Sequence, residues 1–233
     1  MGKPAQKRII RKLDLELFLS NIPVHPSPNA SLEQYTISET VAATMLYVAA
    51  YTYGDITGKR VLDLGCGTGR LSLASAFLGA ESVVGIDINK TAIKLAHENS
   101  VQTGFKVQTQ WIQGDIAAVT GKFDTVVQNP PFGVQKRSAD RRFLEKALEV
   151  GDAVYSLHNH PYTDKQLLSR LKSGAGLLQV EPSPFILRFV NEHGARVEAA
   201  YALPLVIPHM FDFHTKAKHD IIIDLYVIRK RGE

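Results

Sequence analysis

Hydrophobic and polar positions change period along the chain, and the changes mark the elements. Residues 7–19 carry Ile9, Leu13 and Leu17 at helical spacing with Ile10 and Phe18 beside them, which predicts a short amphipathic helix. Pro23, Pro26 and Pro28 interrupt that pattern. Ser38 and Glu39 open a second helical run, Thr40 to Tyr51, rich in Ala, Met, Leu and Val, and Gly54 and Gly58 close it. From Lys59 onward the chain becomes rhythmic. Arg60–Leu64, Ser82–Asp87, Lys106–Ile112, Phe123–Gln128 and Ala153–Leu157 read as strands, with helices predicted over Leu71–Leu78, Lys90–Val101 and Arg142–Val150. Strands alternating with helices imply right-handed βαβ units and a parallel sheet. The end of the chain differs. A helix over Phe185–Asn191 precedes two long β-rich runs, Arg196–Ile207 and Asp220–Arg229, joined by a loop containing Pro208 to Lys218. That pattern predicts an antiparallel hairpin appended to the sheet. The expected organisation is an N-terminal helix and Pro-rich lead-in over 1–30 and one α/β domain over 31–233.

Composition narrows the class. The chain has 233 residues, 45% of them hydrophobic, enough for one α/β core covered on both faces. No apolar run approaches the roughly 18 residues of a membrane span. The first thirty residues alternate charge with leucine and lack a signal-peptide core. A soluble, cytoplasmic protein is expected. The single cysteine, Cys66, makes neither an internal disulfide nor, alone, a zinc site, and reads as a small residue under a turn; no metal is expected. The net charge is +4 and the isoelectric point about 9.1. Basic residues cluster at Lys7, Arg8, Arg11 and Lys12, at Lys136, Arg137, Arg141 and Arg142, at Lys216, Lys218 and His219, and at Arg229, Lys230 and Arg231. One such cluster is ordinarily a solvated face; several flanking one candidate site suggest a nucleic-acid backbone.

The chemistry begins at Val61-Leu62-Asp63-Leu64-Gly65-Cys66-Gly67-Thr68-Gly69. An apolar strand runs into three glycines at alternate positions and then a helix, so the backbone turns sharply and lets a ligand come close. A dinucleotide fingerprint is spaced GxGxxG; the tighter GxGxG here resembles motif I of the class I methyltransferases, whose ligand has no pyrophosphate. The second strand ends in Asp87, about 20 residues past the glycine loop, where a carboxylate accepts from ribose hydroxyls. The third strand leads to Gly114-Asp115-Ile116, and in class I methyltransferases an acidic residue there reads the adenine amino group.

After the fourth strand comes Asn129-Pro130-Pro131-Phe132-Gly133. Two prolines stiffen the backbone and remove two N–H donors. What remains is an array of acceptors, the Asn129 side-chain oxygen and the Pro130 carbonyl, suited to a planar NH₂ group, with Phe132 as a stacking face. Holding both amino hydrogens aims the nitrogen at a methyl donor, so alignment and electrostatics supply the rate rather than a strong base.

With Leu32-Glu33-Gln34-Tyr35, Asp63-Leu64-Gly65-Cys66-Gly67, Asn129-Pro130-Pro131-Phe132-Gly133, Ala153-Val154-Tyr155-Ser156-Leu157-His158 and Phe213-His214-Thr215-Lys216, the sequence resembles the archaeal and eukaryotic small-subunit ribosomal RNA adenine-N6 methyltransferases. The resemblance is close over about residues 32–160 and looser at the final hairpin. It implies a Rossmann-like class I methyltransferase fold, with a mostly parallel seven-stranded sheet and a C-terminal antiparallel hairpin. It also implies S-adenosyl-L-methionine as cofactor, an RNA substrate, a Gln34 contact with the cofactor and a small zinc-containing activator protein as partner. Ile37 stands where the family usually has Thr, with Thr36 and Ser38 on either side, and the stretch from Tyr162 to Pro184 is longer than in the family.

The resulting assignment has Asn129, Pro130, Pro131 and Phe132 holding the target adenine. Gln34, Asp63, Gly65, Gly67, Thr68, Arg70, Asp87 and Asp115 bind the cofactor, and Arg137, Arg141, His214 and Lys216 contact RNA. Two other readings stay open. One is a protein glutamine methyltransferase, which holds a side-chain amide with the same tetrapeptide but usually ends it in Tyr. The other is a cofactor-binding ribosome-assembly factor without turnover.

Overall fold

The computed structural model describes residues 9–26, 28, 37–132, 139–208 and 218–231. Among the described residues eight strands form one sheet: β1 (Arg60–Leu64), β2 (Ser82–Asp87), β3 (Thr109–Gln113), β4 (Phe123–Gln128), β5 (Gly151–Asn159), β6 (Leu178–Gln179), β7 (Ala195–Pro208) and β8 (Lys218–Lys230). Their order is β3-β2-β1-β4-β5-β8-β7-β6. The first five are parallel; β8, β7 and β6 follow antiparallel. The mostly parallel sheet with its C-terminal hairpin is therefore present, with one strand more than the seven expected. The extra strand, β6, has two residues, too short to show any period in sequence.

Seven α-helices accompany the sheet in the described residues: α1 (Lys12–Ser20), α2 (Glu39–Tyr47), α3 (Arg70–Phe77), α4 (Lys90–Gln102), α5 (Ala139–Val150), α6 (Lys165–Arg170) and α7 (Pro184–Glu192). Local chemistry sets their starts. Ser38 caps α2 by accepting from the Val41 N–H, Asn89 caps α4 by accepting from Ala92, and Asp164 caps α6 by accepting from Leu167. The stretch between Tyr162 and Pro184 holds α6, a π-helical turn over Leu171–Ala175, and β6. It packs Leu171 against Ala202 and Ile222 of the hairpin. Among the described residues no helix is long and apolar enough to cross a membrane.

The strand period of two divides the core. Val61, Val83, Val127, Tyr155, Leu157, Leu225 and Val227 face one side, where α1, α2 and α3 pack. Leu62, Leu64, Ile86, Val126, Val154, Tyr226 and Ile228 face the other, with Leu144 and Leu148 of α5 and Ile186 and Val190 of α7. Truncating one of these leucines to alanine costs about 2–5 kcal/mol.

Two expectations need correction. The expected inward row of the first helix, Ile9, Leu13 and Leu17, is exposed; Leu15, Leu19 and Ile22 enter the core instead. Both rows have helical spacing of three or four residues, so spacing alone could not choose between them. The third strand begins at Thr109 rather than Lys106, because residues 106–108 form a turn that leaves Val107 in solvent.

The foot of the sheet, where the parallel strands begin, is tied by side chains. Tyr155 donates its hydroxyl to Asp55, and Arg229 pairs with the same carboxylate at 2.7 Å. Further along the hairpin Tyr201, opposite Leu225, shares a hydroxyl hydrogen bond of 3.0 Å with Tyr53. Arg229 lies opposite Ala153 in the register, so the C-terminal basic cluster sits at the foot rather than beside the candidate site.

Candidate active site

The site follows from topology. The chain runs β1, β2, β3 outward in one direction, then crosses back to place β4 on the other side of β1. Leu64 is in register with both Ile86 and Gln128. The glycine loop and Asn129 therefore leave the same ends of adjacent strands, at the point where strand order reverses. Open α/β sheets bind their ligands there.

On the β1–β2 side, Gly67 has φ +55°, and a side chain at this position would meet open space. Its N–H donates to Asp87 Oδ2 at 2.9 Å, while Asp87 Oδ1 accepts from Asn89 N–H at 2.8 Å. The loop's other end is crowded: a Cβ on Gly65, at φ +70°, would lie 2.8 Å from Phe143 Cε1 of α5. Burial raises the Asp87 carboxyl, with its two backbone donors opposing. Asp63 is buried; its Oδ2 accepts from Ser72 N–H at 3.0 Å and Ser72 Oγ–H at 2.6 Å. Its Oδ1 has no hydrogen-bond partner among the described residues, and burial pushes the group up to about 7. Burial also pushes the Cys66 thiol up, which removes it as a nucleophile. Thr68 is buried, with its carbonyl accepting from Asn99 Nδ2 at 3.0 Å.

Arg70 and Asp115 have protein partners in the structure. Arg70 is buried and directed to α2, pairing with Glu39 at 2.7 Å and reaching the Ile22 carbonyl at 3.4 Å. Its place after the glycine loop suggested a ligand contact; its side chain instead ties α3 to α2 and to the end of α1. Asp115 caps the 3-10 turn Ile116–Ala118 by accepting from Ala117 N–H at 2.9 Å, and Arg142 pairs with it at 3.2 Å.

S-adenosyl-L-methionine carries a sulfonium, an ammonium group and a ribose diol. The acceptor set suits it: an orphaned carboxylate oxygen on Asp63, a strand-end carboxylate on Asp87, and a backbone left open by Gly67. Asp63's raised pKa is the penalty that a nearby cationic ligand group relieves.

On the β4–β5 side, Pro130 is buried and Asn129, Pro131 and Phe132 are half-buried. Phe132 packs against the main core, so its ring is braced from behind. Behind Asn129 lies a polar group that the assignment missed. Gln128 Nε2 donates to Ser156 Oγ at 2.8 Å, and Ser156 Oγ lies 2.8 Å from His158 Nε2. All three residues are buried, and His158 Nδ1 faces Asp140 of α5 at 4.0 Å. Burial pushes the imidazole down to about 4. The two-residue period of Ser156 and His158 was the available signal, placing both on one face of β5.

The first turns of α5 hold Arg142, expected with Arg137 and Arg141 along a phosphate backbone and here paired with Asp115, and Phe143 against Gly65, which sequence reasoning passed over as a site residue. Arg141, expected on RNA, has its guanidinium 4.6 Å from the centroid of the Phe185 ring. Gln34, Arg137, His214 and Lys216 lie outside the described residues.

Comparison with known proteins gives consistent relatives. The methyltransferase small domain family matches residues 39–157. The chain is similar to an uncharacterized protein of Methanocaldococcus jannaschii, 36% identical over 96% of each chain. It is 32% identical, over 91% of its length and 95% of the relative's, to a Danio rerio protein named rRNA N(6)-adenosine-methyltransferase. A crystal structure from Pyrococcus horikoshii, provisionally assigned as an RNA methyltransferase, superposes with a TM-score of 0.79 at 35% identity, covering 97% of this chain and all of the other.

Proposed function

The chain belongs to the methyltransferase small domain family, and from that membership we propose that it methylates N6 of an adenine in RNA, with small-subunit ribosomal RNA as the substrate. Its cofactor is S-adenosyl-L-methionine, which supplies an electrophilic methyl group on sulfur. The observation that carries the proposal is the Asn129-Pro130-Pro131-Phe132 segment leaving β4 beside the glycine loop of β1.

The Asn129 side-chain oxygen and the Pro130 carbonyl accept the two hydrogens of the target amino group. This draws the nitrogen lone pair out of conjugation and directs it toward the cofactor side. Phe132 stacks on the extruded base. None of the four residues is a base, so the amino proton passes to water after transfer, and the rate rests on alignment and fixed dipoles. Asp63 and Asp87 hold the cationic and ribose parts of the cofactor. Asp115 reads its adenine from one wall, and Phe143 beside Gly65 supplies an apolar wall. The Danio rerio relative acts, by its name, on ribosomal adenosine, and similarity to it extends over 91% of this chain; together with Phe in the last motif position, this favours a base over a protein amide. A small zinc-containing activator protein is the partner this reading expects.

The experiment is a map of N6-methyladenosine in ribosomal RNA from cells with and without the protein. Loss of a small-subunit site is the expected result. An unchanged map, with a methylglutamine lost from a protein instead, overturns the reading.

A further inference from the structure

Buried polar side chains need partners, and a buried triad next to a reacting segment is costly unless it does something. Gln128 is the last residue of β4 and in register with Ser156 of β5. Their side chains cross-link the two strands at the rung where Asn129 departs. Donor capacity sets the first of these hydrogen bonds. The Gln128 amide nitrogen can only donate, so Ser156 Oγ accepts from it, while Gln128 Oε1 has no hydrogen-bond partner among the described residues. The direction of the Ser156–His158 bond follows the imidazole tautomer. The Asp140 carboxylate 4.0 Å from Nδ1, in the first turn of α5, favours the ring proton on Nδ1, which leaves Nε2 to accept the Ser156 hydrogen. Tyr226 holds the imidazole edge-to-face, with ring centroids 5.5 Å apart, so the ring cannot turn away. Asp224 of β8, opposite His158 in the register, is engaged by His160 at 2.8 Å and does not compete for His158.

We propose that His158 is a positioning residue for methyl transfer, acting through Ser156 and Gln128 to fix the backbone from which Asn129 presents its acceptor. This rests on the reading that Asn129–Phe132 holds the target amino group. The relay touches neither substrate nor cofactor. Its effect is geometric, and a displacement of about 1 Å at a reacting group can cost on the order of a hundredfold in rate.

Two measurements on the full chain test it. The first is ¹⁵N imidazole NMR of the free protein near neutral pH, which needs no substrate. The expected spectrum for His158 is a neutral ring protonated on Nδ1, with that preference weakened in Ser156→Ala. A ring protonated on Nε2, or charged, overturns the relay whatever the substrate is. The second is kinetics of His158→Leu, His158→Gln and Gln128→Met, with cofactor affinity by calorimetry and melting temperature alongside. His158→Leu and Gln128→Met should lower kcat about tenfold or more, with RNA KM and cofactor affinity within about twofold. His158→Gln, which can still accept from Ser156, should recover most of the loss at a similar melting temperature. Wild-type kcat in a folded His158→Leu, or equal losses in His158→Leu and His158→Gln, overturns the positioning role. A wild type that modifies no RNA adenine overturns the target reading and the catalytic half of this inference with it, while the spectrum still decides the relay.

Discussion

The two halves of the site handle buried polarity in opposite ways. On the β1–β2 side two carboxylates, Asp63 and Asp87, lie beneath the glycine loop, raised by burial, and Asp63 Oδ1 lacks a hydrogen-bond partner among the described residues. On the β4–β5 side the buried groups are an amide, a hydroxyl and a neutral imidazole joined to one another. The first arrangement is stable only with a cation or donors nearby, which a cofactor with a sulfonium, an ammonium group and a diol brings. The second carries no charge and leaves one neutral acceptor, Gln128 Oε1, without a hydrogen-bond partner among the described residues, as befits a scaffold that must be rigid before the target arrives. One half waits for charge; the other avoids it. Substitutions should therefore separate binding from transfer along the line between β1 and β4.

The largest effect expected is at Asn129. Asn129→Ala should abolish measurable transfer, a loss of at least about a hundredfold, because an acceptor aimed at the nucleophile acts in the transition state. Calorimetry should show cofactor affinity within about twofold of wild type. Near-native turnover would place the acceptor elsewhere and erase the division between the halves.

Asp87→Ala should do the reverse. Losing the ribose contact costs roughly 1.5–3 kcal/mol of cofactor binding, the scale of hydrogen bonds to a charged group. The variant also releases the Gly67 and Asn89 N–H groups. Unchanged affinity in a folded variant would remove Asp87 from the site.

The third prediction uses pH. His158 sits at about 4 in the folded chain against an ordinary value of 6.5, so the unfolded chain binds its proton first. Its contribution to stability is full above about 6.5 and is lost as pH falls toward 4. Asp63 sits at about 7 against 3.8, so the folded chain holds that proton, and stability falls as pH rises from about 4 to 7. Each slope approaches about 1.4 kcal/mol per pH unit, and the signs oppose, so wild type should be nearly flat between pH 4.5 and 6.5 with respect to this pair. Asp140, facing Nδ1, is the charged group that would soften the His158 slope. Urea midpoints should fall with acid in Asp63→Asn and rise with acid in His158→Leu. Parallel curves for the two variants would mean that the halves are not electrostatically opposite.

The smallest effect concerns the rim. Charge reversal of Arg141 and Lys216 should weaken RNA binding and reduce the steepness of its salt dependence by roughly one to two in log–log slope. Cofactor affinity should stay constant. Identical slopes in wild type and variant would show that these residues do not face a phosphate backbone; Arg141's ring contact with Phe185 would then be its whole role.

The halves also differed in how legible they were. The glycine loop, Asp87 and the tetrapeptide could be read because each places special residues at fixed offsets from a strand end, and the structure brings these to one edge of the sheet. Side-chain direction could not be read. Arg70 follows the loop yet points under α3 to Glu39, and Arg229 belongs to a basic cluster yet anchors Asp55 at the foot of the sheet. Both are charges whose partners are distant in sequence. Ser156 and His158 shared a face of β5 by period, but Gln128 was silent for a related reason: its link to Ser156 follows from register between strands, which single-chain periodicity does not specify. The same limit explains α1, where two rows with helical spacing competed and tertiary packing chose Leu15 and Leu19.

The Asn129-Pro130-Pro131-Phe132 segment is proposed to accept an RNA adenine. The most direct test is transfer from methyl-labelled S-adenosyl-L-methionine by the purified protein, with its activator where one is needed, to small-subunit ribosomal RNA and to ribosomal protein in one reaction. The RNA is then digested to nucleosides and the protein to amino acids. The account predicts label in N6-methyladenosine, absent with Asn129→Ala. Label recovered in methylglutamine, with none in the nucleosides, would contradict it.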